Sequence, residues 1–209
     1  MTTIDINQYS TNVILGNGDF PSSQIPKNVL NSASRLVVCD GAANSFIGSG
    51  QDFEVIIGDC DSIDRTIMEK ESHRIIIVND QKTNDQTKAV NYFNSHGIKN
   101  MSIIGATGQR EDHSLGNISL LIEYLKQGTT ARIYTDHGVF VPLFKNSVLK
   151  TTPHAKISIF NFGCKTLTAT GLKYPIRPFD SLWQGTLNET TENKVIFEAD
   201  NYYMLYIAY

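Results

Sequence analysis

Apolar residues recur in short β-branched runs up to about residue 135, with polar turns and stretches of helical length between them. The runs at 12–15, 35–39, 54–57, 74–78, 101–104 and 131–134 predict strands. Across 113–127, Leu115, Ile118, Leu121, Ile122 and Leu125 fall at three- and four-residue spacing, and Gly128 supplies a stop. That spacing predicts an amphipathic helix. Strands alternating with helices build βαβ units, so residues 1–135 are expected to form an α/β domain. Its sheet should be mostly parallel, with helices on both faces. Beyond residue 135 the alternation shortens to period two at 156–160, 166–170, 194–198 and 202–206. Turn residues such as Asn161, Gly163, Gly171, Pro175 and Pro178 separate these runs, and no helical period is visible. Residues 136–209 are therefore expected to form an all-β, sandwich-like domain.

Composition narrows the partners. A net charge of −3 and a pI near 5.9 offer no basic signature, so nucleic acid is not an expected partner. No apolar run approaches the length of a membrane span, so no membrane partner is expected. Cys39, Cys60 and Cys164 are odd in number and widely spaced, which argues against a disulfide framework and a zinc site. The first five residues carry neither a basic nor an apolar leader region. A reducing, cytoplasmic location is the expectation.

The chemistry is concentrated where strands end. The run Val55-Ile56-Ile57 breaks at Gly58 and delivers Asp59 and Asp61, one residue apart. Asp61 or Ser62 is a candidate cap for a following helix. Alternatively, two carboxylates at this spacing can share a hard cation such as Mg²⁺. Other strands lead to Gly16-Asn17-Gly18-Asp19, to Asp40-Gly41-Ala42-Ala43-Asn44, to Asp80 through Asp85, and to Gly105 through His113. In a parallel sheet these turns share one edge, where open α/β sheets bind ligands. That edge gathers several carboxylates, Lys82, Arg110 and glycine-flanked amides, a set suited to a metal and a polyphosphate. The chain has no P-loop, and Gly16-Asn17-Gly18 lacks the third glycine of a dinucleotide fingerprint.

The series Cys39–Asn44, Gly58-Asp59-Cys60-Asp61-Ser62-Ile63, Asp80-Gln81 with Asn84-Asp85, and Gly108-Gln109-Arg110-Glu111-Asp112-His113 resembles thiamin pyrophosphokinase. Thr170–Pro175 and Gly185–Glu189 resemble that family's thiamin-binding β-domain. The resemblance implies Mg²⁺-dependent transfer of a pyrophosphoryl group from ATP to the thiamin hydroxyl by a homodimer, with thiamin at the subunit interface. It implies that Asp59, Asp61 and Asp85 are metal and phosphate carboxylates. Asp40 and Gln81 would line the nucleotide site together with Asn17, Lys82 and His113, while Arg110 and Asp112 meet the reacting phosphates and hydroxyl. Asp112, with His113 as its competitor, would orient or deprotonate that hydroxyl. Trp183 and Asn188 would lie near thiamin. Four positions depart from the family's usual pattern: Lys82 for aspartate, Asn84 for threonine, Gln109 for glycine and Leu187 for serine. Two rival readings remain at this level: an Asp-x-Asp sugar-nucleotide transferase, and a module that senses a nucleotide or thiamin diphosphate without turnover.

Overall fold

The computed structural model describes residues 1–209. Along the chain run β1 (Thr2–Ile4), β2 (Asn12–Leu15), α1 (Gln24–Asn31), β3 (Arg35–Cys39), α2 (Ala43–Phe46), β4 (Val55–Gly58) and α3 (Arg65–Lys70). Next come β5 (Ile75–Ile77), α4 (Asp85–Ser95), β6 (Asn100–Ile104), α5 (Glu111–Lys126) and β7 (Thr130–Tyr134). The remainder is β8 (Gly138–Phe144), β9 (Ser147–Lys150), β10 (Lys156–Asn161), β11 (Leu167–Thr170), β12 (Asn188–Glu189), β13 (Lys194–Ala199) and β14 (Tyr202–Ala208). These elements form two compact units: Tyr9–Leu120 with Ile133–Asp136, and Met1–Gln8 with Leu121–Arg132 and His137–Tyr209.

In the unit that begins at Tyr9, β2 pairs in parallel with β3 and β6, β3 with β4, and β4 with β5. The order is β6-β2-β3-β4-β5. Val13, Ile14, Leu15, Val37 and Val38 are each 0% exposed. Successive strand residues point to opposite faces, so burial at every position means that both faces are covered. Helix α4 packs against β2, β3 and β4, and α1 against β6. From β2 the chain steps outward through β3, β4 and β5, then returns to lay β6 on the other side of β2. That reversal makes the carboxyl ends of β2 and β6 a topological switch point, where loops diverge and leave a crevice.

Helix starts follow local polar chemistry. Asn84 caps α4, its side-chain oxygen accepting the Thr87 amide at 3.0 Å. At α1 the cap comes from far along the chain: Asp136 Oδ1 accepts the amides of Ser22 at 2.9 Å and Ser23 at 2.8 Å. Helix α3 begins at Arg65 with Asp64 as the cap residue, so neither Asp61 nor Ser62 has that role. Helix α5 buries Leu121, Ile122 and Tyr124, whereas Leu115 remains 64% exposed.

The other unit holds two sheets. One is the antiparallel set β12-β10-β14-β8. The second is β1-β9-β13-β11, in which β1 joins β9 in parallel. Between the sheets, Ser147 of β9 hydrogen-bonds the Tyr203 hydroxyl of β14. The Phe197 ring of β13 lies 5.7 Å from the Tyr203 ring. The sandwich-like expectation is met, with β1, β8, β9 and the two-residue β12 as strands that periodicity missed. β1 has only three residues. Pro142 interrupts the strand signal of β8, because proline cannot donate to a ladder. Cys39, Cys60 and Cys164 are free and buried. No helix is long and apolar enough to cross a membrane.

Candidate active site

A cavity of about 450 Å³ opens at the switch point. Asn17 and Gly18 line it from the loop after β2, Asp59 and Ser62 from the loop after β4, and Gln81 from the loop after β5. Asp85, Gln86 and Lys88 enter from the start of α4, and Thr107 through Arg110 with His113 from the loop after β6 and the start of α5. Asp40 is 2% exposed at the end of β3, and its Oδ2 accepts the Cys60 amide at 2.7 Å. Gly58 makes that position possible: a Cβ there would stand 2.4 Å from the Asp40 Cβ. Cys60 takes φ 66°, a left-handed conformation that costs a non-glycine residue on the order of 1–2 kcal/mol. The bond to Asp40 holds it there, between Asp59 and Asp61.

Carboxylate oxygens of Asp40, Asp59 and Asp61 lie within 4.8 Å of one another. Burial, only partly offset by the Cys60 amide, pushes the Asp40 carboxyl up to about 6, with Asp85, Asp59 and Asp61 adding to the effect. The Asp61 amide and the Gln81 side chain hold Asp59 below the usual carboxylate range, Gln81 Nε2 donating to its Oδ2 at 3.3 Å. Asn44 braces the loop, donating to the Ser62 carbonyl at 2.7 Å and accepting the Asp64 amide at 2.9 Å. Three oxygens so close together, one on a buried group, suit a hard divalent cation.

The expected residues divide in ways that spacing did not reveal. Asp85 lines the cavity but pairs with Lys88 Nζ at 2.9 Å and stands outside the close carboxylate trio, whereas Asp40 belongs to it. Arg110 closes its fork on Asp112, with Nε to Oδ1 at 3.1 Å and an NH2 group to Oδ2 at 2.7 Å. That pairing holds the Asp112 carboxyl below its usual range. His113 lines the cavity, while Lys82 is exposed and does not. The glycine loops were expected to offer free amides, and in the loop after β2 the amides of Gly18 and Asp19 are already taken. Gly18 donates to the Gly105 carbonyl at 2.6 Å, and Asp19 to that of Thr107 at 2.8 Å. A Cβ on Gly18 would meet the Thr107 oxygen at 2.2 Å, so this glycine serves close backbone packing. Gln109 bridges the same two loops, donating to the Gly18 carbonyl at 3.2 Å with φ 27°.

In the other unit, Asn188 is buried and bonds both the amide and the carbonyl of Tyr174, at 3.1 and 2.9 Å. It therefore shapes the 174–188 loop. Trp183 and Leu187 on that loop are 74% and 88% exposed. Lys88 escaped sequence reasoning. The only signal was an aspartate–lysine pair three residues apart, a spacing common on solvated helix faces.

Comparison with known proteins then decides the family. The sequence model of the thiamin pyrophosphokinase catalytic domain matches residues 26–134, and that of the substrate-binding domain matches residues 138–206. The chain belongs to the thiamin pyrophosphokinase family. It is similar to Thiamin pyrophosphokinase 1 of Caenorhabditis elegans, 29% identical in an alignment 112 positions long that covers 49% of this chain and 46% of that protein. The match thus spans about half the length of the curated relative. Its fold resembles thiamine pyrophosphokinase from Bacillus subtilis, with a TM-score of 0.76 at 20% identity, covering 94% of this chain and 98% of that one. Thiamin pyrophosphokinase from Candida albicans gives 0.78 at 16% identity, covering 94% and 88%. In this thiamin pyrophosphokinase family member, the acidic trio lies within the stretch matched by the catalytic-domain model.

Proposed function

We propose that the chain transfers a pyrophosphoryl group from ATP to the hydroxyl of thiamin, yielding thiamin diphosphate and AMP. The observation that carries this reading is the trio Asp40, Asp59 and Asp61 on one cavity at the switch point of a thiamin pyrophosphokinase-family chain. The thiamin hydroxyl oxygen bonds to the β-phosphorus as its proton passes to the group that orients it, the bond from that phosphorus to the α–β bridging oxygen breaks, and AMP leaves with that oxygen. The chain's task is positioning and charge neutralisation, with no covalent enzyme intermediate. Asp59 and Asp61, with Asp40 behind them, would hold Mg²⁺. When bound, Mg²⁺ supplies neutralisation of phosphate charge and polarisation of the P–O bonds. Asp85 orients from the start of α4. Arg110 meets phosphate charge from the cavity rim, and Asp112 steadies its fork.

His113 lines the cavity and is the group available to orient the incoming hydroxyl, since the bond to Arg110 leaves Asp112 a weak base. Asn17 and Gln81 face the nucleotide, and Lys82 flanks its entrance. Trp183 offers a face for the thiamin rings, and Asn188 fixes the loop that carries it. The exposed aromatic and aliphatic surface of that loop favours a homodimer, and three free cysteines favour the cytoplasm. The test is AMP formation from ATP and Mg²⁺ with and without thiamin. Thiamin-dependent AMP is expected. Release of UDP or GDP from a sugar nucleotide would favour the rival transferase, and ATP binding with no AMP would favour a sensing module.

A further inference from the structure

The cavity contains a cation that neither the sequence motifs nor the proposed mechanism uses. Lys88 is the fourth residue of α4, and its side chain is 4% exposed. Two costs attend that position. The ammonium loses its water on burial, and it stands near the positive end of the helix dipole. Its pairing with Asp85 is a weak reason for accepting them, because apolar residues of similar volume usually replace buried ion pairs without loss of stability. An ordinary surface pair at this spacing would leave both groups solvated. Here Asp85 is 36% exposed and the lysine is not.

The other cations are placed differently. Arg110 is 68% exposed with its fork on Asp112, and Lys82 is exposed outside the cavity lining. Lys88 lines the cavity, and of the three N–H groups on its Nζ one goes to Asp85 Oδ1 at 2.9 Å. The others are available to oxygens that enter the cavity.

We propose that Lys88 Nζ is a direct ligand of the polyphosphate oxygens of the bound nucleotide, delivered from the first turns of α4 and aimed by Asp85. This rests on the nucleotide reading above. It assigns to a helix-borne lysine the role that a P-loop enzyme gives to a loop lysine, and it places the carboxylate trio and a fixed cation on the same phosphate chain. Asp85 then orients the ammonium, which accounts for its absence from the close trio.

Calorimetric titration of the full chain with ATP and with adenosine, in the presence of Mg²⁺, tests this in wild type and Lys88→Met. The variant is expected to weaken ATP binding at least tenfold and to leave adenosine within twofold. Unchanged ATP affinity, or equal weakening of ATP and adenosine, would overturn the proposal. Should Lys88→Met fail to fold because Asp85 is left without its partner, Asp85→Asn/Lys88→Met removes that charge. Its ATP affinity must then fall at least tenfold below that of Asp85→Asn alone. The result is separate from turnover: a wild type that makes no AMP refutes the transferase reading, while a selective loss of ATP affinity still supports the lysine.

Discussion

At the carboxyl ends of the parallel strands the chain buries charge, and in the loop between Tyr174 and Asn188 it exposes hydrophobic surface. Asp40 and Lys88 are each 5% exposed or less, whereas Trp183 and Leu187 are 74% and 88% exposed. Both arrangements invert the usual partition of polar and apolar groups. The first is held together by short-range polar bonds, such as Cys60 to Asp40 and Lys88 to Asp85. The second is held by Asn188 bonding the Tyr174 backbone. Under the proposed function each region suits a different ligand: a cation with phosphates in one, the aromatic rings of thiamin in the other.

The largest effect should come from the acidic side. Asp61→Asn removes a full ligand charge from an exposed position, so AMP formation should fall on the order of a hundredfold or more while metal-free stability is kept. Normal turnover by that variant, measured at saturating Mg²⁺ and thiamin, would break the assignment. On the apolar side, Trp183→Ala should change stability by no more than about 0.5 kcal/mol, because the side chain is largely in solvent already. Its KM for thiamin should nonetheless rise on the order of tenfold, which steady-state kinetics would read. A large drop in Tm with unchanged KM would make the tryptophan a packing residue and remove the contrast.

Asp136 tests whether a cap, rather than either functional region, sets stability. Burial works to raise its pKa, but the Ser22 hydroxyl and the Ser22 and Ser23 amides hold it at about 2. An unfolded aspartate titrates near ~4, so this contribution is complete above that pH and is lost as pH falls toward 2. Asp136→Ala should cost about 1–2 kcal/mol at neutral pH. Denaturation curves for the variant and wild type should converge in acid; a constant gap down to the acid limit would contradict the linkage. The smallest effect is expected at Gln109. Replacement by glycine relieves a φ of 27° and gives up an exposed bond to the Gly18 carbonyl, so stability should move by less than about 1 kcal/mol.

Much of the site-bearing unit was legible because each parallel strand reads as an apolar run that stops at a polar turn. Strands β2 and β3 match their expected bounds, and every other expected strand is present with neither end off by more than two residues. The convergence of Asp59, Asp61 and Gln81 follows from that pattern alone. What stayed hidden depended on tertiary placement. Asp40 looks like a turn residue until Gly58 lets it pack beneath Cys60. Lys88 looks like a surface partner of Asp85 until its helix crosses the sheet and buries it. The glycine loop after β2, which suggested free amides, proved to be a packing surface against the loop after β6, since sequence cannot say which backbone will lie opposite. β1 was hidden for a similar reason, because a three-residue strand gains its identity only from its pairing with β9.

The most direct measurement is the product balance of one reaction containing the full chain, ATP, Mg²⁺ and thiamin. The account predicts AMP and thiamin diphosphate in equal amounts, with neither formed when thiamin or the metal is withheld. AMP released without thiamin, or thiamin recovered unmodified beside bound ATP, would contradict it.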